Sequence, residues 1–286
     1  VIMADLLSRS VGNLFVAAIF PGFLLAGLYV AYIAITCSLR PKLAPPLPDD
    51  IGPQTTGELL LLVLRSFVPP LFLIFLVLGS ILFGWATPTE AAGVGAAGAT
   101  LLAAGSRRLT WKVMCEVVER SALTGGMLFG IFLGATCFSY VFRALGGDDL
   151  VIGTVESFEL GSWGLLFTLM VLVFLLGFFF DWIEITLIVL PVFEPIIELL
   201  DFGNHVMPNE VVYWFAILLA VNLQTSFLTP PFGFALFYLK GVAPPEVRIQ
   251  QVYKGIVPFV LLQLSGLALI MAFPDIALWL PRVLLD

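Results

Sequence analysis

Between residues 222 and 233 the chain reads NLQTSFLTPPFG. Asn222, Gln224, Thr225, Ser226 and Thr229 crowd ahead of two adjacent prolines, Pro230 and Pro231, and Gly233 follows. Proline has no backbone N–H, so carbonyls about one turn earlier lose their helical partners. Freed carbonyls and neighbouring hydroxyls are hard oxygen donors, the kind that replace water around an alkali cation at a broken membrane helix. The C-terminal end of the half-helix before the break adds partial negative charge. The N-terminus of the half-helix after it, from Phe232, presents partial positive charge to an anion. Upstream, in LGFFFDWIE, a single carboxylate, Asp181, interrupts another apolar run, with Glu184 and Thr186 close behind. A lone carboxylate at bilayer depth costs several kcal/mol unless paired or bound to a cation. A Na+ ion shared between Asp181 and the Thr229 break would offset both costs. The expected cation ligands are therefore Asp181, Thr225, Ser226 and Thr229. The expected substrate contacts are Asn222, Pro230 and Gly233. An exposed turn between two full spans is the alternative for Asp181, and a simple kink the alternative for Pro230–Pro231.

The rest of the sequence has to hold these residues inside a membrane. Hydrophobic residues make up 60% and charged residues 12% of 286, far from the soluble average. Several apolar stretches approach the roughly 20 residues that cross a hydrocarbon layer. The expected fold class is all-α: a polytopic membrane protein with spans near 14–37, 59–80, 122–142 and 255–280. A small-residue helix is predicted over 88–104, with Thr87 as N-cap, Pro88 at the first helical position and Glu90 completing a capping box. Its Ala and Gly favour close packing in lipid. The mixed segment 107–121 suits an interfacial arm helix. The long apolar stretch 162–200 is interrupted at Asp181, and the broken helix occupies 211–239. Cys37, Cys115 and Cys137 lie far apart and read as free thiols, and His205 reads as a solvated loop residue. With no metal spacing of His and Cys and no nucleophile–base pair, the expected protein is not an enzyme and needs no cofactor beyond a coupling ion. The chain starts at Val1 rather than Met, and a fragment of a longer protein is expected.

Charge sets the orientation. Placing the loops 38–58, 105–120 and 240–254 in the cytoplasm gathers Arg40, Lys42, Arg107, Arg108, Lys112, Arg120, Lys240, Arg248 and Lys254 on one side, nine of the 13 Lys and Arg residues. Arg65 lies near that side, leaving Arg9, Arg143 and Arg282 outside. Such asymmetry is the positive-inside pattern. The segment 162–200 then leaves and returns to the outer face, as a re-entrant hairpin or as two full spans. Charge counting does not separate these.

PGFLLAGLYVAYI, GWATPTEAAGVGA, LGFFFDWIEITLIVLPVFEPI and NLQTSFLTPPFG together resemble the large membrane subunit of the tripartite ATP-independent periplasmic (TRAP) transporters, over about residues 11–280. The resemblance implies an elevator-type fold of two inverted repeats, each giving a helical hairpin and a broken helix to a mobile transport domain. This chain resembles the second repeat together with the end of the connection from the first, without the first repeat itself. Its implied divisions are 1–58, a first span and cytoplasmic loop; 59–144, scaffold helices with the arm; 145–254, the transport part with hairpin 162–200 and broken helix 211–239; and 255–286, the last span. The family implies Na+-coupled import of an organic acid across the bacterial inner membrane. Its implied partners are a small membrane subunit and a soluble periplasmic binding protein, with the lipid bilayer as surround and no nucleic acid. One departure is local: Trp182 follows the tip aspartate where the family often has proline. The alternatives are a proton- or sodium-coupled dicarboxylate symporter without a binding protein, and a non-transport membrane scaffold.

Overall fold

The computed structural model describes residues 1–41, 55–147, 161–197, 200–229 and 247–285, with a few isolated positions between them. Among the described residues it is helical, without strands. In chain order the helices are α1 (Ile2–Leu6), α2 (Val11–Leu39), α3 (Thr56–Leu82), α4 (Pro88–Gly105), α5 (Trp111–Ala144), α6 (Ser162–Leu176), α7 (Trp182–Ile197), α8 (Val211–Leu223), α9 (Ile249–Ala272) and α10 (Asp275–Leu285), with a 3-10 turn, Gln224–Phe227, continuing α8. By length and composition α2, α3, α5 and α9 are able to cross a membrane.

The chain divides into two compact units, one formed by Val1–Ile33 and Phe129–Asp286, the other by Ala34–Leu128. In the second unit α3 and α4 pack as an antiparallel pair. A Cβ added at Gly95 would sit 2.9 Å from Val77 Cγ2, and one at Gly98 would run into Leu73 Cδ2. The expected capping box is present at the start of α4. Thr87 Oγ1 accepts from the Glu90 N–H at 3.3 Å, and Glu90 Oε2 accepts from the Thr87 N–H at 2.8 Å. Because small residues let the two helices approach, Gly98→Leu is expected to destabilise the purified protein by about 1–3 kcal/mol. Thermal unfolding in detergent measures this.

In the first unit α8 is the centre. Residues on every side of it are buried, including Trp214, Phe215, Leu218, Leu219 and Asn222. That is the pattern of a helix apolar all round and covered all round. The stripe Leu165, Leu166, Leu169, Met170 and Val173 of α6 packs on it. The direction of each helix follows from paired contacts. α8 and α9 are antiparallel, since Trp214 Nε1 donates to Ile270 O at 3.0 Å near one end while Asn222 and Leu264 line one cavity near the other. α2 and α9 are antiparallel too, with Leu25 against Gly266 and Tyr29 and Tyr32 edge-on to Phe259. These directions agree with the order of crossings that the basic loops require.

Two segments differ from expectation. The arm expected near 107–121 is not a separate helix, because α5 runs unbroken from Trp111 to Ala144; neither glycine nor proline stands between the arm and the span to stop it before Gly125. The last span ends at Ala272, and α10 is a distinct helix after Phe273 and Pro274. α10 is pinned through Arg282, which pairs in a fork with Glu210 (Nε–Oε1 2.5 Å, Nη2–Oε2 2.6 Å) and also reaches Asp275 at 2.8 Å. The Glu210 hydrogen bonds, then the nearby carboxylate charges, hold this guanidinium above its already high pKa. Arg282→Ala is expected to cost about 1–3 kcal/mol, and Arg282→Lys to recover only part of it because lysine lacks the fork. Melting curves of the two variants test this.

Candidate functional site

α6 and α7 form a hairpin whose base is closed by the Asp201 N–H donating to Ser162 Oγ at 3.2 Å. The arms have 15 and 16 residues, or roughly 22–24 Å at about 1.5 Å per residue. That is short of a full crossing, so the re-entrant geometry is the one their lengths fit. At the tip, Phe179 and Phe180 N–H groups both donate to Leu176 O at 2.9 Å, which ends α6. Asp181 then starts α7. Its carbonyl accepts from the Ile185 N–H at 3.0 Å, its Oδ1 accepts from the Trp182 N–H at 2.8 Å, and its own N–H donates to Glu184 Oε2 at 3.3 Å. Glu184 thus completes one half of a capping box and serves the turn. Thr186 is fully buried and donates to Trp182 O at 2.6 Å. Asp181 itself is half-buried.

The break begins where α8 tightens into the 3-10 turn at Gln224. Thr225 Oγ1 donates to Asn222 O at 2.6 Å, and Thr229 Oγ1 donates to Thr225 O at 3.0 Å. Both hydroxyl hydrogens are therefore spent on backbone, which leaves the oxygen lone pairs to accept. The Asn222 amide nitrogen donates to Met170 O at 2.7 Å, tying α8 to α6. Its oxygen, Oδ1, and the Ser226 hydroxyl are both buried and have no partner among the described residues. Pro230 and Gly233, the other two expected substrate contacts, lie outside the described residues.

Tip and break meet. Trp163 packs edge-on to Trp214 at 6.1 Å, Met170 receives the Asn222 bond, and a Cβ at Gly177 would strike Ser226 Oγ. The partners advance together along both chains, so α6 and α8 run parallel from one face, and both lose regular helix at the same level. Gly177 has an ordinary right-handed conformation, φ −60° and ψ −15°. It is required for closeness and not for backbone freedom. The meeting runs through Gly177; no hydrogen bond among the described residues joins the Asp181 carboxylate to Asn222, Thr225, Ser226 or Thr229. Nor do the described residues hold a cluster of three or more His, Cys, Asp or Glu side chains fit for a metal ion. What converges is a set of neutral oxygens with one carboxylate four residues beyond the contact.

Sequence reasoning missed Gly177, whose only signal was a glycine at the end of one apolar run, and the structural tie made by Asn222. It also misread His205. That ring is half-buried, with Nε2 2.8 Å from Met271 O, and packs against Trp163 and Trp214 at 4.9 and 5.8 Å. Aromatic neighbours from α6 and α8 enclose a loop that looked solvated in isolation.

The described residues make a multi-pass helical membrane protein in which a short hairpin meets the 3-10 end of a buried helix at buried oxygens. The family comparison makes this particular. Residues 1–276 match the family of the tripartite ATP-independent periplasmic transporter, DctM component, and the chain belongs to that family, that of the large permease proteins. It is 28% identical over 279 residues to the C4-dicarboxylate TRAP transporter large permease protein of Rhodobacter capsulatus, covering 97% of this chain and 59% of the relative. It is 27% identical over 278 residues to the ectoine/5-hydroxyectoine TRAP transporter large permease protein of Ruegeria pomeroyi, covering 96% and 60%. It is 26% identical over 290 residues to the sialic acid TRAP transporter permease protein of Haemophilus influenzae, covering 100% and 44%. The chain therefore spans 44% to 60% of the length of these relatives.

Proposed function

We propose that this chain is the ion- and substrate-holding part of a Na+-coupled importer of an organic acid in the bacterial inner membrane. A soluble periplasmic binding protein delivers the substrate, and a small membrane subunit accompanies the permease. The observation that carries the reading is the buried, partnerless Ser226 Oγ at the Gly177 contact, with Asn222 Oδ1 also unmatched one turn earlier in α8. Buried polar atoms are rarely left unmatched, and oxygen donors without N or S ligands suit a hard cation. Na+ enters from the outside, takes Ser226, Thr225 and Thr229 oxygens with the Asp181 carboxylate, and orders the tip. The anionic substrate then docks near Asn222, Pro230 and Gly233. The loaded hairpin and broken helix move as one body in an elevator-type cycle. Ion and substrate binding are coupled if each raises the affinity for the other, by the same factor in both directions. The names of the relatives differ in substrate, so the reading stays at the level of an organic acid.

Uptake into proteoliposomes of the intact transporter, with its binding protein present or absent, tests the reading. An inward Na+ gradient is expected to drive accumulation, a proton gradient alone is not, and omission of the binding protein is expected to abolish it. Accumulation driven by protons, or undiminished without the binding protein, supports the symporter alternative instead.

A further inference from the structure

Away from tip and break, the second arm of the hairpin carries its own backbone defect. α7 contains Pro191 and Pro195. A helical carbonyl accepts from the N–H four residues on, and Pro195 has none, so the Pro191 carbonyl loses its partner within the helix. Arg143, in the last turn of α5, supplies one: its Nη2 donates to Pro191 O at 2.6 Å. The bond lies on the wall of a cavity of about 350 Å³ between the two helices, lined in part by Thr136, Ser139 and Arg143 of α5 and by Leu187, Pro191 and Glu194 of α7. The Ser139 hydroxyl is closed off from solvent and has no partner among the described residues. The polar wall thus has a defined tie point. At its base the same arm packs Ile196 and Ile197 into the core, and the Asp201–Ser162 bond closes the hairpin.

We propose that Arg143 is a positioning residue: it tethers α7 to the end of α5 through the carbonyl that Pro195 frees, and so sets where the hairpin tip rests. The proline and the arginine form one device. A helix with an N–H at position 195 would give the Pro191 carbonyl a partner of its own and weaken the need for Arg143. The tip half of the inference rests on the Na+ reading above; the tether half does not.

Hydrogen–deuterium exchange of the intact transporter in nanodiscs separates the two. Arg143→Ala is expected to speed exchange over 178–197 by about 10-fold, as for loss of a hydrogen bond from a charged donor, while α6 amides in 165–173 stay protected. Arg143→Lys keeps a donor and is expected to recover part of the protection. In a Pro195→Ala background, which restores the N–H, Arg143→Ala is expected to have a clearly smaller effect than in the wild type. Unchanged exchange in Arg143→Ala, or an effect of equal size in the Pro195→Ala background, overturns the tether. If Arg143→Ala does not assemble, the lysine variant and the double variant decide in the same way. For the tip, the Na+ concentration giving half-maximal uptake is expected to rise about 10-fold in Arg143→Ala with maximal rate retained, since only the fraction of molecules with a placed tip binds the ion. Faster exchange with unaltered ion affinity overturns the positioning role. A wild-type transporter indifferent to Na+ overturns the proposed coupling and leaves the exchange result standing.

Discussion

Asp181→Asn is expected to remove most of the Na+ dependence of uptake, raising the half-saturating Na+ concentration by about 10-fold or more, or about 1.4 kcal/mol of ion binding. The substitution is well suited to the question. Asp181 starts α7 and accepts the Trp182 N–H through Oδ1. Asparagine is as good as aspartate at such a helix start, so it is able to keep that bond and the turn. What it cannot keep is the negative charge, and a carboxylate at bilayer depth is stable only with a counter-charge. Folding and assembly should therefore be near wild type while ion affinity falls. Uptake measured over a Na+ series in reconstituted vesicles gives the result; full Na+ activation in the variant would remove Asp181 from the site.

Gly177→Val is expected to stop uptake even at saturating Na+. A Cβ at this position would strike Ser226 Oγ and lie 3.2 Å from Ser226 Cβ and 3.3 Å from Phe174 O. One of those neighbours is backbone, so rotation of the serine alone does not make room. Overpacking of this kind costs about 1–3 kcal/mol, and here it also pushes the tip off the break. The double variant Gly177→Val with Ser226→Gly is expected to recover much of the thermal midpoint without recovering transport, because an oxygen of the site is gone. Wild-type uptake in Gly177→Val would show that tip and break need not touch.

Much of the framework could be read from the chain. α2 and α3 extend by only a few residues beyond the apolar runs that announced them, since lipid-length hydrophobicity is a coarse but strong signal. Thr87, Pro88 and Glu90 announced the start of α4 because a capping box is local chemistry. Other features depend on partners distant in sequence. His205 is enclosed by residues from α6 and α8, and Gly177 matters because of Ser226. α5 looked like two segments because charge is clustered in its first turns, yet nothing in the backbone interrupts it. The double proline is instructive by contrast. Pro69 and Pro70 sit inside α3, which continues through them, so paired prolines alone do not end a helix. α8 has already tightened at Gln224, ahead of Pro230, in a run of polar side chains that bond its own carbonyls. The polar run, more than the prolines, marks the site.

The enclosure of α8 on all sides has a consequence for how the gene tolerates change. A saturation scan should find almost no permissive position between Val212 and Leu223, even for swaps among aliphatic residues. Along α3, where no residue is buried among the described residues, leucine, phenylalanine and isoleucine should exchange freely except at Leu73 and Val77, which face α4. Natural variation between strains should therefore collect on the one helix and spare the other.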